Sequence, residues 1–333
     1  VKVGSLFSGI GGLDLAVERA MGAETAWQVE YEPAPASILA RHWPDADRFG
    51  DVTEIDWHEM EPVDVICGGY PCQPFSHAGL RKGTDDVRHL WPYFANAISV
   101  LRPRYAVLEN VAGHLSLGFD QVLGDLAEIG YDATWVTLRA ADIGAPHGRK
   151  RLFVLATDAE GTERRRTELK DLGEGPVPTP EPRERLGTPT DADEQGLQGS
   201  QSTQRRDVFA RGARSAADAD EFGLQGRKST DGPRWSSASE RALLGDRGVT
   251  AWGNYEPAIR RWEAVLGRAA PVPAIDGKLN ARFVEWMMGF DEGWVDGLTR
   301  NKALKALGNA VVPQQGEVAI RLLVSRLGTE AAA

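Results

Sequence analysis

The sequence predicts an α/β protein built on a doubly wound sheet, with a second, smaller and irregular region. Over residues 1–156, short apolar runs rich in β-branched residues alternate with stretches whose apolar positions recur at helical spacing, the pattern of βαβ units. A glycine cluster, Ser8-Gly9-Ile10-Gly11-Gly12, separates the first run from the first helical stretch. In such a sheet, ligands bind at the carboxyl ends of the strands. After Ala156 the periodicity gives way to Gly, Pro, Ser, Thr, Asp and Arg.

In chain order, residues 1–7 read as a strand, and Leu13, Leu15, Ala16 and Ala20 mark the helix after the glycines. Residues 25–29 give a second strand and 33–42 its helix. Residues 63–67 and 105–108 are further strands, with a helix over 90–101 between them. A helix over 119–129 precedes strands at 134–138 and 152–156. Residues 158–248 contain an internal repeat: the segment from Asp191 to Gly199 returns almost unchanged from Asp218 to Gly226. Two copies are fewer than the three a solenoid needs, so a duplicated, poorly ordered insertion is expected. Order resumes near Trp252, with Tyr255, Ile259, Trp262 and Leu266 at helical spacing, continues through 279–294, and ends in a helix over 315–327. The expected division is a catalytic and cofactor-binding part (1–157), a target-reading region (158–278) and a returning C-terminal segment (279–333).

With 333 residues, 42% of them hydrophobic, the chain can bury a sizeable core. No run approaches the roughly eighteen apolar residues of a membrane span, and the N-terminus lacks a signal peptide's layout. A cytoplasmic protein without a membrane partner is expected. Two cysteines, Cys67 and Cys72, are too few for a disulfide framework, and no metal is expected. The net charge of −10 is unevenly spread: residues 1–138 hold nine of the 38 basic side chains but 20 of the 48 acidic ones. Clusters such as Arg149-Lys150-Arg151, Arg164-Arg165-Arg166, Arg205-Arg206 and Arg260-Arg261 in the second half have the character of phosphate-following or plain surface arginines.

Four constellations carry chemistry. The glycines of Phe7-Ser8-Gly9-Ile10-Gly11-Gly12 let backbone approach a nucleotide-like ligand. Glu30, about twenty residues further on, stands where a ribose-binding carboxylate belongs. Asp51 is placed to accept from an adenine amino group, and nothing resembles a pyrophosphate clamp, so an adenosyl ligand fits at least as well as NAD. In Gly68-Gly69-Tyr70-Pro71-Cys72-Gln73-Pro74-Phe75-Ser76, Cys67 reads as strand core, whereas Cys72 is presented between two prolines after a strand, as a nucleophile would be. Gly79, Arg81, Lys82 and Gly83 form a basic, hinge-like loop. Glu109, at the end of its strand, faces the same crevice, and alternation puts Arg149 and Arg151 on one side of theirs.

Together these residues resemble the DNA (cytosine-5)-methyltransferases, over nearly all of the chain except about 158–250. Phe7-Ser8-Gly9-Ile10-Gly11-Gly12 is similar to the family's first motif, Pro71-Cys72-Gln73-Pro74-Phe75-Ser76 to its nucleophile motif and Glu109-Asn110-Val111 to its acid motif. Glu285-Trp286-Met287-Met288-Gly289-Phe290 resembles the motif supporting target recognition. Leu307-Gly308-Asn309-Ala310-Val311-Val312-Pro313 resembles the motif that folds back beside the first strand. One departure stands out: His147 replaces the glutamine usual before the paired arginines.

The resemblance implies a Rossmann-like methyltransferase sheet, S-adenosylmethionine as methyl donor and double-stranded DNA as partner. It implies catalysis by Cys72, Glu109, Arg149 and Arg151, with Arg149 near the cytosine O2, and a donor pocket of Phe7, Gly9, Gly11, Glu30, Tyr31, Asp51, Leu90 and Asn309. Tyr31 would stack on the adenine. A monomer is expected, with a cognate restriction endonuclease as a potential companion. Three other readings stay open: a tRNA cytosine methyltransferase, a catalytically silent DNA-binding relative, and a dehydrogenase. The missing phosphate-binding pattern disfavours the last.

Overall fold

The computed structural model describes residues 1–71, 90–159 and 252–330. Cys72, the loop at 79–83, the repeat and the arginine clusters at 164–166 and 205–206 lie outside the described residues. Strands β1 (Lys2–Leu6), β2 (Glu24–Val29), β3 (Asp47–Phe49), β4 (Val65–Gly68), β5 (Tyr105–Val111), β6 (Tyr131–Arg139) and β7 (Lys150–Asp158) form one sheet in the order β3-β2-β1-β4-β5-β7-β6. The first five run parallel and β7 is antiparallel to both β5 and β6. The order reverses between β1 and β4, so the carboxyl ends of these two strands flank the crevice where a doubly wound sheet takes its ligand.

Alternation along the strands divides the core. Leu6, Ile66, Ala106 and Leu108 point to a face covered by α3 (Trp91–Leu101) and α4 (Phe119–Glu128), through Phe94, Ile98, Val122 and Leu126. Val3, Val65, Val107 and Leu155 point to the other. Helix α1 (Gly12–Met21) covers that face through Leu13, Ala16, Val17 and Ala20, together with Ala319, Ile320 and Leu323 of the last helix, α8 (Pro313–Glu330). Gly4 must be glycine because Trp27 lies over it: a β-carbon there would sit 2.1 Å from the indole. Helix α1 begins and ends on left-handed glycines, Gly11 and Gly22 (φ 82° and 60°), which side chains tolerate poorly. Helix α2 (Pro33–His42) opens on a proline at a position where the missing N–H costs nothing.

A third apolar cluster joins the C-terminal part of the chain to the glycine loop. It contains Trp262 of α5 (Glu256–Leu266), Trp286 of α6 (Ala281–Met287), Leu307 of α7 (Arg300–Asn309), Phe290, Trp294 and Val312, packed with Ile10 and Ile38. Trp262 donates its indole N–H to the Trp286 carbonyl at 2.9 Å. Arg260 pairs with Glu256 and Glu263 on its own helix, so it is surface scaffolding and is already engaged. A short hairpin, β8 (Ala274–Ile275) and β9 (Lys278–Leu279), precedes α6. No helix among the described residues is long and apolar enough to cross a membrane.

One charged residue breaks the apolar face of α1. Asp14 is fully buried, and burial pushes its carboxyl up to about 7, with hydrogen bonds from Gln28 and Ser5 opposing the rise. A carboxyl that keeps its proton on folding stabilises the fold most below its ordinary value near 3.8, and that contribution is lost as pH rises through about 7. Asp14→Asn should therefore gain stability over the native chain at pH 8 but not at pH 4, by on the order of 4 kcal/mol. Denaturant midpoints of both proteins across that range measure it.

Candidate active site

The nucleophile motif is approached along β4. Gly68 and Gly69 have no room for side chains: a β-carbon on Gly68 would lie 2.5 Å from the Leu6 carbonyl, and one on Gly69 would lie 2.9 Å from Glu109 Oε2. Tyr70 then turns into an aromatic pocket beside Trp91 (centroids 5.0 Å) and His114 (5.5 Å). Asn110 Nδ2 donates to the Tyr70 carbonyl at 3.1 Å. The backbone entering Pro71 and Cys72 is thus held by the residue adjacent to Glu109.

Glu109 lies near the end of β5, and β7 brings Arg151 opposite Val111. Arg151 Nε sits 3.1 Å from Glu109 Oε1, and the two side chains are only 10% and 12% exposed. Burial pushes the Glu109 carboxyl up, while Arg151 and then Arg149 pull it back. The carboxyl is thus held between desolvation, which favours its neutral form, and two guanidinium charges, which favour its ionised form. Gly69→Ala would drive a methyl group into that carboxyl. Because a displacement of about 1 Å can cost roughly 100-fold, turnover at this site should fall by up to that factor while the circular dichroism spectrum is unchanged; single-turnover rates of the native and variant chains measure the loss.

Arg149 immediately precedes β7, and its two terminal amino groups donate to the Gly308 and Ala310 carbonyls at 2.8 and 2.9 Å. The guanidinium clasps the end of α7 while still lying close enough to Glu109 to pull its carboxyl down. Burial, with Arg151 nearby, lowers Arg149 to about 10, which leaves it charged at neutral pH. Its partner in the motif, His147, lies 3.1 Å from the Met287 carbonyl through Nε2. A carbonyl only accepts, so Nε2 carries the hydrogen. Burial lowers this imidazole to about 4, and at neutral pH it is an uncharged strut to the end of α6.

The second part of the site surrounds the glycine loop. Phe7, Gly9 and Gly11 all have left-handed backbone (φ 55°, 58° and 82°), and for Phe7 this conformation is a strain of about 1–2 kcal/mol. Its ring is tied down against Phe94, with centroids 6.2 Å apart. Glu30 accepts from Gly9 N–H at 2.8 Å and from Glu32 N–H at 2.7 Å, and burial raises its carboxyl against these bonds. Tyr31 is 75% exposed, an open aromatic face at the mouth of the loop. Asp51 Oδ1 caps a short turn by accepting from Thr53 N–H at 2.9 Å and the Thr53 hydroxyl at 2.8 Å. Beside Asp51 opens a cavity of about 730 Å³ whose wall also carries Asp47, Glu54, Asp56, Glu59 and Glu61. Of the donor-pocket candidates only Asp51 lines it; Phe7, Gly9, Gly11, Glu30, Tyr31, Leu90 and Asn309 do not. Leu90 caps α3, half-buried against the core.

The C-terminal motif closes over this loop. A β-carbon on Gly12 would lie 2.2 Å from the Val311 carbonyl, and Asn309 ends α7 alongside. Three holding residues, Trp294, Gln315 and Asp14, escaped the sequence reading, and a fourth, Glu285, was read only as part of a motif. Trp294 donates its indole N–H to the Ile10 carbonyl at 2.8 Å and stacks on His42 at 3.6 Å. Gln315, fully buried, donates to the Leu138 and Arg149 carbonyls at 2.7 and 3.0 Å. Glu285, also fully buried, accepts from the Gly293 and Val295 N–H groups. Asp14 underlies the loop itself. Asp14, Glu285 and Gln315 are polar residues on buried helix faces, which is the signal that marks them; Trp294, in a polar turn, carries none.

A glycine loop after the first strand of an open sheet, an acid after the second, and a carboxylate paired with a guanidinium against Gly69 mark a Rossmann-like methyltransferase fold. The chain belongs to the C-5 cytosine-specific DNA methylase family, whose profile matches residues 1–324. Among curated relatives, the Type II methyltransferase M.NaeI of Lentzea aerocolonigenes is 36% identical over 47% of this chain and 40% of its own length. M.NgoMIV of Neisseria gonorrhoeae is 34% identical over 46% and 51%, and the orphan methyltransferase M.Rho11sI of Bacillus phage rho11s is 34% identical over 46% and 32%. The chain therefore spans about half or less of the length of these relatives. The crystal structure of the S. pombe Dnmt2 methyltransferase matches 99% of this chain and 99% of that one, with TM-score 0.56 at 16% identity, a likeness of fold.

Proposed function

We propose that the chain moves a methyl group from S-adenosylmethionine to C5 of a cytosine extruded from a specific duplex DNA sequence, through a bond between Cys72 and C6. The observation that carries this reading is the buried Glu109–Arg151 pair, set against Gly69 at the entrance to the Pro71-Cys72 segment. Cytosine C5 is a poor nucleophile. Addition of the Cys72 thiolate to C6 places an electron pair on C5, and Glu109 eases the addition by giving a proton or hydrogen bond to N3. Arg151 holds the Glu109 carboxyl and faces the base O2; Arg149 keeps the C-terminal motif closed. S-adenosylmethionine supplies an electrophilic methyl group and leaves as a neutral thioether. Loss of the C5 proton then re-forms the double bond and expels the thiolate.

The donor cradle fits this ligand class: left-handed glycines for close backbone approach, Glu30 for ribose hydroxyls, Asp51 for the adenine amine and Tyr31 for its ring, with Phe7, Leu90 and Asn309 completing the walls. Chemistry on a base requires it out of the stack. In this reading residues 1–157 catalyse, 158–278 read the duplex and 279–333 return to complete the donor pocket. The protein acts as a monomer in the cytoplasm, and the Type II names of its relatives support a companion restriction endonuclease.

Labelled methyl incorporation into duplex DNA and into tRNA tests the substrate class, and DNA is the expected acceptor. Incorporation into tRNA alone, or into neither, would overturn the reading. Bisulfite sequencing of DNA from expressing cells then gives the modified base and its context.

A further inference from the structure

The C-terminal motif and the arginine strand are tied together by a side chain that the chemistry above leaves unused. Gln315, the third residue of α8, is 0% exposed, and its Nε2 donates to two carbonyls on neighbouring strands. One is Leu138, near the end of β6, at 2.7 Å; the other is Arg149, just before β7, at 3.0 Å. Leu138 stands opposite Arg151 in the sheet, so the amide straddles the two strands at the rung whose guanidinium holds Glu109 at 3.1 Å. The Arg149 carbonyl also accepts from Ala140 N–H at 2.9 Å, which extends the ladder past the rung.

Filling this space does not require a glutamine. Its Oε1 has no hydrogen-bond partner among the described residues, and a buried polar atom in that state costs stability that a methionine of similar size would not lose. What the amide adds is a pair of donors aimed at two carbonyls.

Residue 149 returns the contact. Its guanidinium donates to the Gly308 and Ala310 carbonyls at 2.8 and 2.9 Å, so residues 308–315 grip the entry to β7 at both ends. Between the two grips the Val311 carbonyl presses on Gly12, where a β-carbon would lie 2.2 Å away, and a β-carbon on Gly316 would lie 2.7 Å from that of Ala16. The segment is thus seated on the glycine loop and α1 on one side and on the arginine strand on the other. A ligand that touches the glycine loop and Asn309 together favours this seated arrangement, and packed contacts carry that preference onward.

We propose that Gln315 is a positioning residue that couples the methyl-donor pocket to the Glu109–Arg151 pair: with residues 308–316 seated by bound donor, its amide fixes the rung that aims Arg151 at Glu109. The inference rests on the donor and base sites of the proposed function. Because the target cytosine meets that pair, donor and duplex should each tighten the other's binding by the same factor.

Fluorescence anisotropy of the full chain with a duplex containing the sequence found by bisulfite sequencing, with and without saturating S-adenosylhomocysteine, measures the factor without turnover. The native chain should bind the duplex roughly 5- to 50-fold more tightly with the thioether present, within the usual range of site-to-site couplings. Gln315→Met keeps the volume and removes both donors. It should bring the factor below about 2 while affinity for the duplex alone changes by less than about 3-fold. A role confined to stability would lower the denaturant midpoint and leave the factor as it was. Gln315→Asn, one methylene shorter, serves if the first variant does not fold; if neither folds, the amide is a structural support only and the inference fails. A native factor near 1, or one that survives in a folded variant, overturns the inference and leaves the proposed function intact. A native chain that binds neither S-adenosylhomocysteine nor DNA overturns both.

Discussion

Cys72→Ala is expected to lower methyl transfer to duplex DNA by roughly 10⁴-fold or more, because in the proposed mechanism its thiolate supplies the electron pair that C6 receives. Cys67 cannot substitute. It is fully buried on β4, and burial pushes its thiol well above the ordinary range. A duplex carrying 5-fluorocytosine in the recognised sequence traps the intermediate, since fluorine at C5 cannot leave as a proton does. With methyl donor present, the native chain and Cys67→Ala should each give a covalent protein–DNA band on a denaturing gel, and Cys72→Ala none. An adduct that persists without Cys72 would mean that another nucleophile operates.

Changes at the Glu109–Arg151 pair should have the next largest effect. Glu109→Gln removes the transferable proton while keeping the shape, and kcat should drop by about 10²- to 10⁴-fold, the usual worth of a positioned acid. The pH dependence supplies the sign. Burial raises the Glu109 carboxyl, so its protonated form is complete at low pH and declines as pH rises through that raised value. The native rate should carry a falling alkaline limb from this group, and Glu109→Gln should lack it. Arg151→Met takes away the strongest influence pulling the carboxyl down and leaves a buried acid without its partner. The limb should move to higher pH, and stability should fall by about 3–5 kcal/mol. Single-turnover rates at saturating DNA and donor, with denaturant curves on the same samples, separate the two effects.

The sequence made the central sheet legible where a strand alternates between two covered faces. β1, β2, β4 and β5 and helices α1 to α4 are found within a few residues of where periodicity puts them. It was silent on β3, whose three residues are all exposed and carry no apolar pattern. The helix Arg300–Asn309 was overlooked as well, although Ala303, Leu304, Ala306 and Leu307 form its buried stripe, because lysines and a Gly-Asn end mask it. That β7 runs against its neighbours is a matter of connection rather than of local pattern, so a one-dimensional reading cannot supply it.

In the site, motif spacing brought Glu109, Arg149 and Arg151 within electrostatic reach of one another. It could not show that the Arg149 guanidinium also holds Gly308 and Ala310, whose carbonyls lie about 160 positions away. Holding residues such as Trp294 and Gln315 are harder to read, since their partners lie 284 and 166 to 177 positions away along the chain.

The close approach of the Val311 carbonyl to Gly12 joins two stretches that lie 299 positions apart. The bend after β1 therefore owes its packing to a distant segment, and clipping that segment away should open the bend to water and hasten its amide exchange.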